Sequence, residues 1–156
     1  MEIVINQLGE NDFNSVKEQL VELQYENSQL HFPNKSIKSD YAINKIEGMY
    51  TFITENKASA FIAIDKNKVI GFIWCYPRVF FDEQRVYINS LIVSREYRGK
   101  KIGEKLVDSV ERYAKSLGAV AVDVSTAAFN TGGLGFYRKR GFEDERVQLV
   151  KPIGDF

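Results

Sequence analysis

The stretch SREYRGKKIGEKLV, Ser94 to Val107, sets Gly99 and Gly103 around Lys100 and Lys101, with Arg98 just before them. It lies where an apolar, strand-like run gives way to a helical pattern. The first N–H groups of a helix have no partner inside it and point at whatever lies ahead. The macrodipole adds partial positive charge at the same end. Glycine removes the side chain that would hold a ligand off the backbone, and the three cations add counter-charge. These residue types in this order favour an anion, with a pyrophosphate as the natural tenant. The spacing is not that of a P-loop, since no Lys-Ser/Thr pair follows. It also lacks the G-x-G-x-x-G of a dinucleotide fingerprint.

A second stretch, NTGGLGFYRKRGF from Asn130 to Phe142, carries Asn130, Tyr137, Gly141 and Phe142. Taken alone, Tyr137 reads as a core aromatic. Other chemistry is scarce. Cys75 is the only cysteine, which excludes an internal disulfide and a cysteine-rich zinc site, and reads as a small buried hydrophobe. His31 is the only histidine and has no nucleophile motif beside it. No metal site is expected.

Composition narrows the class. The 156 residues are 44% hydrophobic and 27% charged, which suits one globular domain over residues 1–156. The 21 basic and 21 acidic residues cancel, so the chain lacks the basic surplus of a general nucleic-acid binder. MEIVINQL has neither the basic start nor the apolar run of a signal peptide, and no run reaches membrane-spanning length. A cytoplasmic protein with no membrane partner is expected.

The positioning elements follow from periodicity. EIVINQL alternates as a strand. Asn11 or Asp12 caps a helix with Phe13, Val16, Leu20 and Leu23 inward. The polar segment from Gln24 to Lys38 reads as a loop carrying Tyr25, His31, Phe32 and Pro33. Ile43, Ile46, Tyr50 and Ile53 mark a second helix starting near Ser39. ASAFIAID and KVIGFIWCY form a hairpin about Lys66-Asn67, with Pro77 ending its second strand. Arg85 to Val93 is the next strand. The helix after Gly99 has Ile102, Leu106, Val107, Val110, Tyr113, Ala114 and Leu117 on its inner stripe, and Gly118 at its end. AVAVDVS is a short strand, about Gly132 to Lys139 a compact helix, and FEDERVQLVKPI the last strand. The order predicts a mixed α/β domain around one sheet.

VSREYRGKKIGEKLV resembles the acyl-CoA-binding segment of the GNAT N-acetyltransferases, Arg/Gln-x-x-Gly-x-Gly/Ala after a strand, through Arg98, Ile102 and Gly103. Lys101 stands where the family often has its middle glycine. NTGGLGFYRKRGF is similar to the family's later motif, in which Tyr follows Asn by seven residues and Gly-Phe follows that Tyr by four. The resemblance covers about Ser59 to Val150.

The resemblance implies a mixed central sheet with helices on both faces and a splay between the fourth and fifth strands, where a pantetheine arm lies. It implies acetyl-CoA as cosubstrate and no metal. Main-chain groups of Leu91, Ile92 and Val93 would pair with the pantetheine. Arg98, Gly99, Lys100, Lys101, Ile102 and Gly103 would hold the pyrophosphate, and Asn130 would contact the cosubstrate near its reacting end. A primary amine would attack the thioester directly, with the N–H around Ile92 or Val93 stabilising the oxyanion and Tyr137 donating a hydrogen bond to the departing thiolate. At the fourth-strand position where many relatives carry an acid, this chain has Asn89, Ser90 and Leu91. Asp82, Glu83 or a water path remain as routes for the proton. The acceptor would be a small-molecule amine or a protein or peptide amine, met by the aromatics of Tyr25 to Tyr41 and Tyr76 to Arg85, in a monomer or homodimer. The alternative is a catalytically silent acyl-CoA-binding sensor or interaction module.

Overall fold

The computed structural model of the protein describes residues 2–31 and 40–154, the side chain of His31 excepted. It forms two compact units, Met1–Ser125 and Thr126–Phe156. The first is built on a five-stranded sheet in the order β1-β2-β3-β4-β5. Its strands are β1 (Ile3–Gln7), β2 (Ser59–Asp65), β3 (Lys68–Phe80), β4 (Glu83–Val93) and β5 (Ala121–Val124). Neighbours run antiparallel up to β4, and β4 pairs β5 in parallel. A parallel step needs a long crossover, and α3 (Ile102–Ser116) supplies it.

The alternation of β3 sorts the helices onto two faces. Phe72 and Trp74 share a buried cluster with Leu20 and Leu23 of α1 (Phe13–His31) and with Ile46 and Met49 of α2 (Tyr41–Thr54). Gly71, Ile73 and Cys75 point the other way. A Cβ on Gly71 would come within 3.5 Å of Leu106 Cδ1 of α3 and 3.0 Å of the Ile92 carbonyl. Ile102, Leu106, Val107, Val110 and Ala114 bury the inner stripe of α3, as its period predicts, whereas Leu117 is half exposed.

Several expectations need correction. Gln24 to His31 is not loop but the last two turns of α1. Gln24 and Ser28 are buried there and hydrogen-bond to each other across one turn, at 3.3 Å, so two polar residues serve as an inner face. Phe32, Pro33, Lys38 and Ser39 lie outside the described residues. In α2 the buried residues are Ala42, Ile46 and Met49, while Ile43 is exposed. Pro77 does not end β3, which runs on to Phe80. The last β2 partner of β3 is Ser59, opposite Cys75, so Pro77 sits where β3 has β4 on one side only and its missing N–H is tolerated. The expected last strand is absent: residues 142–154 join no ladder. No helix among the described residues is long and apolar enough to cross a membrane.

The second unit contains α4 (Thr131–Lys139). Asn130 caps its start, accepting from Gly133 N–H at 3.0 Å. Its end explains the spacing of Tyr137, Gly141 and Phe142. Phe142 N–H bonds the Tyr137 carbonyl at 3.1 Å and Gly141 N–H that of Arg138 at 3.1 Å. Gly141 takes φ +94° and the Phe142 ring lies 5.1 Å from that of Tyr137. That is a Schellman stop with its apolar contact.

Candidate functional site

Strands β4 and β5 pair only from Arg85 to Ile88, against Ala121 to Val124. From Asn89 onward β4 keeps β3 on one side and loses β5 on the other. Asn89 is itself the extra residue of a bulge, because Trp74 faces Ser90 and Cys75 faces Ile88. A bulge bends its strand and increases the local twist, and this one lies at the point of parting. The expected splay is therefore built, and Leu91, Ile92 and Val93 all lie along it.

Alternation in the ladder decides which of their backbone groups look into the gap. Ser94 N–H donates to the Ile70 carbonyl at 2.8 Å, so Ser94 and, two residues back, Ile92 turn toward β3. Leu91 and Val93 turn the other way. Arg98 Nε donates to the Val93 carbonyl at 3.3 Å on that side. Of the three strand residues, Leu91 and Val93 thus offer N–H groups to the gap, and Ile92 contributes a buried side chain.

The turn after β4 continues this line of donors. A short 3-10 turn, Arg95–Tyr97, leads to Arg98 in extended conformation. Gly99 has φ +77° and Lys101 φ +65°. Lys101 is the N-cap of α3, and its side chain makes no capping hydrogen bond to the helix start. Left-handed residues at such a start help form an anion-binding concavity of backbone N–H groups. The conformation of Lys101 also gives a reason for glycine there in the family. Arg98, Gly99, Lys100 and Lys101 are exposed, Gly103 half-buried and Ile102 buried as an anchor.

Three residues that sequence reasoning missed hold this turn. Tyr97 Oη donates to Asp65 Oδ2 at 2.7 Å, Lys100 Nζ lies 5.2 Å from the centre of the Tyr97 ring, and Arg95 N–H donates to Glu26 Oε1 at 3.2 Å. The carboxylate of Asp65 favours the protonated phenol and raises the pKa of Tyr97. Asp65 and Glu26 lie 32 and 69 positions from their partners, and no local pattern links such pairs.

Asp82 and Glu83 are not brought to the gap. Glu83 opens β4 and pairs with Arg85 at 2.6 Å. Leu91 lies eight residue steps further along the strand, roughly 26 Å at ~3.3 Å per residue. Ser90 Oγ, within the splay, donates to Asn89 Oδ1 at 3.0 Å. The described carboxylate nearest the parting on β5 is Asp123, opposite Tyr87, and it is engaged with Arg78 and Arg85.

The expected aromatic groove is realised in part. Tyr76 packs with Trp74 at 6.0 Å, Tyr87 at 5.5 Å and Phe52 at 5.5 Å. Arg78 stacks 4.1 Å over Tyr87 and 4.5 Å over Phe80, so this cluster already holds a cation of its own. Phe80 lies against Phe81 at 4.5 Å in the β3–β4 hairpin. Tyr25 is half exposed on α1 and Tyr41 opens α2. The His31 side chain and Phe32 lie outside the described residues.

In the second unit, both polar ends of the Asn130 side chain are used. Oδ1 takes the Gly133 N–H and Nδ2 donates to Thr126 Oγ1 at 3.2 Å. Tyr137 is buried, its ring edge-on to Phe136 and Phe142. Cys75 is fully buried and its thiol is pushed up to about 12 by desolvation. No cluster of metal-ligating side chains occurs among the described residues.

Comparison with known proteins agrees with this geometry. The profile of the Acetyltransferase (GNAT) family matches residues 19–142. The chain is 27% identical over 103 residues to Probable N-acetyltransferase camello of Xenopus tropicalis, covering 66% of this chain and 47% of that one. It is 30% identical over 92 residues to N-alpha-acetyltransferase 30 of Schizosaccharomyces pombe, covering 58% and 61%. The match thus spans about half the length of the curated relatives. Among solved structures, an aminoglycoside acetyltransferase from an uncultured soil metagenomic sample, in complex with trehalose, superposes with a TM-score of 0.73 at 23% identity, over 97% of this chain and 96% of that one. Aminoglycoside N-acetyltransferase AAC(6')-Iy in complex with CoA gives 0.74 at 19%, over 97% and 95%. At these identities the structures share a fold. With a family profile that spans most of the chain, this chain belongs to the GNAT acetyltransferase family.

Proposed function

We propose that this protein moves an acetyl group from acetyl-CoA to a primary amine by direct attack in a ternary complex. The observation that carries the reading is the run of backbone donors from Leu91 and Val93 toward the start of α3, where the Lys101 side chain makes no cap. The first part suits the amides of a pantetheine arm and the second suits a pyrophosphate, with Arg98, Lys100 and Lys101 as counter-charge.

An alkylammonium of pKa about 10.4 is neutral in roughly one molecule in a few thousand at pH 7. Loss of its proton must therefore precede attack. Of the routes open in the sequence, a water path past Asn89 and Ser90 fits best, because Asp82 and Glu83 lie far along β4. The amine nitrogen bonds to the thioester carbonyl carbon, and the oxyanion meets the N–H of Leu91 or Val93. The C–S bond then breaks. The thiolate accepts a hydrogen bond from Tyr137 and is protonated to free CoA, while the new nitrogen loses its second proton to give the amide. The roles of Tyr137 and Asn130 rest on the register of their motif.

The test is release of free thiol from acetyl-CoA with polyamine, aminoglycoside and free-N-terminus peptide acceptors. Amine-dependent turnover above background supports the reading. CoA binding without turnover on any acceptor would favour the silent acyl-CoA module, and competition by ATP but not CoA would overturn both.

A further inference from the structure

Helix α1 holds both ends of one backbone circuit. Gln19 Oε1 accepts from Val69 N–H at 2.8 Å. Val69 adjoins Ile70, the extra residue of a bulge in β3, because Ala63 faces Gly71 while Ile64 faces Val69. The Ile70 carbonyl accepts from Ser94 N–H at 2.8 Å. Ser94 adjoins Arg95, whose N–H donates to Glu26 Oε1 at 3.2 Å, and so the circuit returns to the helix it left. Gln19 and Glu26 stand on one face of α1, two turns or ~10.5 Å apart along its axis. Leu20 and Leu23 between them are buried, which sets that stretch of helix against the sheet.

The two arms differ in charge. Arg95 opens the turn that runs to Lys101 at the start of α3. A neutral side-chain oxygen can accept from a backbone N–H, as the Gln19 amide does at the other arm. At Glu26 the acceptor is a carboxylate, which makes the stronger hydrogen bond. It also sets a negative charge on a turn whose Arg98, Lys100 and Lys101 suit a pyrophosphate, and like charges repel.

We propose that Glu26 is a positioning residue with two opposed effects on CoA. Its hydrogen bond fixes the first residue of the turn, and its charge keeps the finished CoA from being held too tightly to leave. The inference rests on the proposed acetyl transfer, in which CoA departs once per turnover. An ordered turn with a moderated grip suits a cosubstrate that must come and go.

The experiment compares the unaltered chain, Glu26→Gln and Glu26→Ala by CoA calorimetry at low and high salt, and by amide exchange at Arg95. Glu26→Gln keeps an accepting oxygen and removes the charge. It should bind CoA up to about fivefold more tightly than the unaltered chain at low salt, and the gap should close at high salt. Glu26→Ala loses bond and charge together. Its Arg95 amide should exchange roughly two- to tenfold faster, and it should bind CoA more weakly than Glu26→Gln. Equal affinity and equal Arg95 exchange in Glu26→Ala and Glu26→Gln would overturn the positioning role. Glu26→Gln binding no tighter than the unaltered chain, or a gap that salt leaves unchanged, would overturn the role of the charge. If Glu26→Ala does not fold, the comparison of Glu26→Gln with the unaltered chain decides alone. An unaltered chain that binds no CoA would overturn the acetyl-transfer reading and this inference with it, whereas CoA binding without these differences would overturn the inference alone.

Discussion

Tyr97 and Asp65 join the turn ahead of α3 to the end of β2 through one 2.7 Å hydrogen bond. The bond fixes the ring over which Lys100 sits, and with it the path of the backbone toward Gly99 and Lys101. Tyr97→Phe keeps the ring and deletes the bond. CoA affinity should fall by up to about fivefold, the scale of one exposed charge-assisted contact, with little change in thermal midpoint. The pKa of Tyr97 is raised, so the bond persists below the ordinary phenol range near 10 and is lost as pH climbs through the raised value. Wild-type affinity should therefore drop at alkaline pH toward that of Tyr97→Phe. Parallel curves over pH 8 to 11 would show that the bond does not support the site.

Lys101 carries a left-handed backbone that costs an ordinary residue about 1–2 kcal/mol, while glycine adds back roughly 0.5–1 kcal/mol of chain entropy. Lys101→Gly should raise stability by up to about 1 kcal/mol, and Lys101→Val should lower it. Both remove one cation, so both should weaken CoA binding and flatten its salt dependence. Thermal melts separate the first effect from the second. A midpoint for Lys101→Val at or above that of Lys101→Gly would contradict the conformational reading.

Cys75, fully buried with its thiol pushed up to about 12, should resist thiol reagents at pH 8 in the folded protein. It should react at an ordinary rate once denaturant unfolds the chain. Fast labelling of the native protein would mean that β3 opens far more readily than its packing implies.

Asn130 and Gly133 form one cap. A Cβ on Gly133 would stand 2.5 Å from Asn130 Nδ2, so Gly133→Ala must displace the side chain that caps α4. A loss of about 1 kcal/mol is expected, similar to Asn130→Ala, and the double change should cost little more. Asn130→Asp keeps the capping oxygen. If its stability holds while CoA affinity falls, Asn130 meets the cosubstrate as well as the helix, and equal affinity leaves it the cap alone.

Tyr137→Phe retains the ring that packs on Phe142 and removes the hydroxyl. Under the proposed chemistry, kcat should fall by about a hundredfold or less, the low end of general-acid effects, with CoA affinity nearly intact. A full single-turnover rate in a less stable protein would return Tyr137 to a packing role.

What could be read from the sequence was whatever repeats locally. The period of α3 marked its buried stripe, and Lys66-Asn67 marked a hairpin whose two residues indeed take positive φ. The β3–β4 hairpin turns on Phe81-Asp82, also at positive φ, and lacks the Asn-Gly chemistry that announces such turns. Pro77 signals a strand end in the sequence but sits inside β3, because tolerance of proline depends on which neighbours a strand has at that point. The ends of α1 were obscured because Gln24 and Ser28 satisfy each other inside it. The choice of Leu91 and Val93 over Ile92 needed the ladder's phase, which one hydrogen bond from Ser94 reveals and composition cannot.

The sheet's connectivity also sets an order of assembly. Strands β2, β3 and β4 are joined by two-residue turns, and hairpins of that kind close in microseconds. Strand β5 reaches β4 only after the whole crossover through α3 has formed, and such non-local pairing is slow because loop closure precedes its reward. The turn that would cradle a pyrophosphate lies inside that crossover. In refolding, Trp74 on β3 should therefore reach native fluorescence before CoA binding returns. The delay between the two signals would report the docking of β5, and simultaneous recovery would show that the sheet forms in one step.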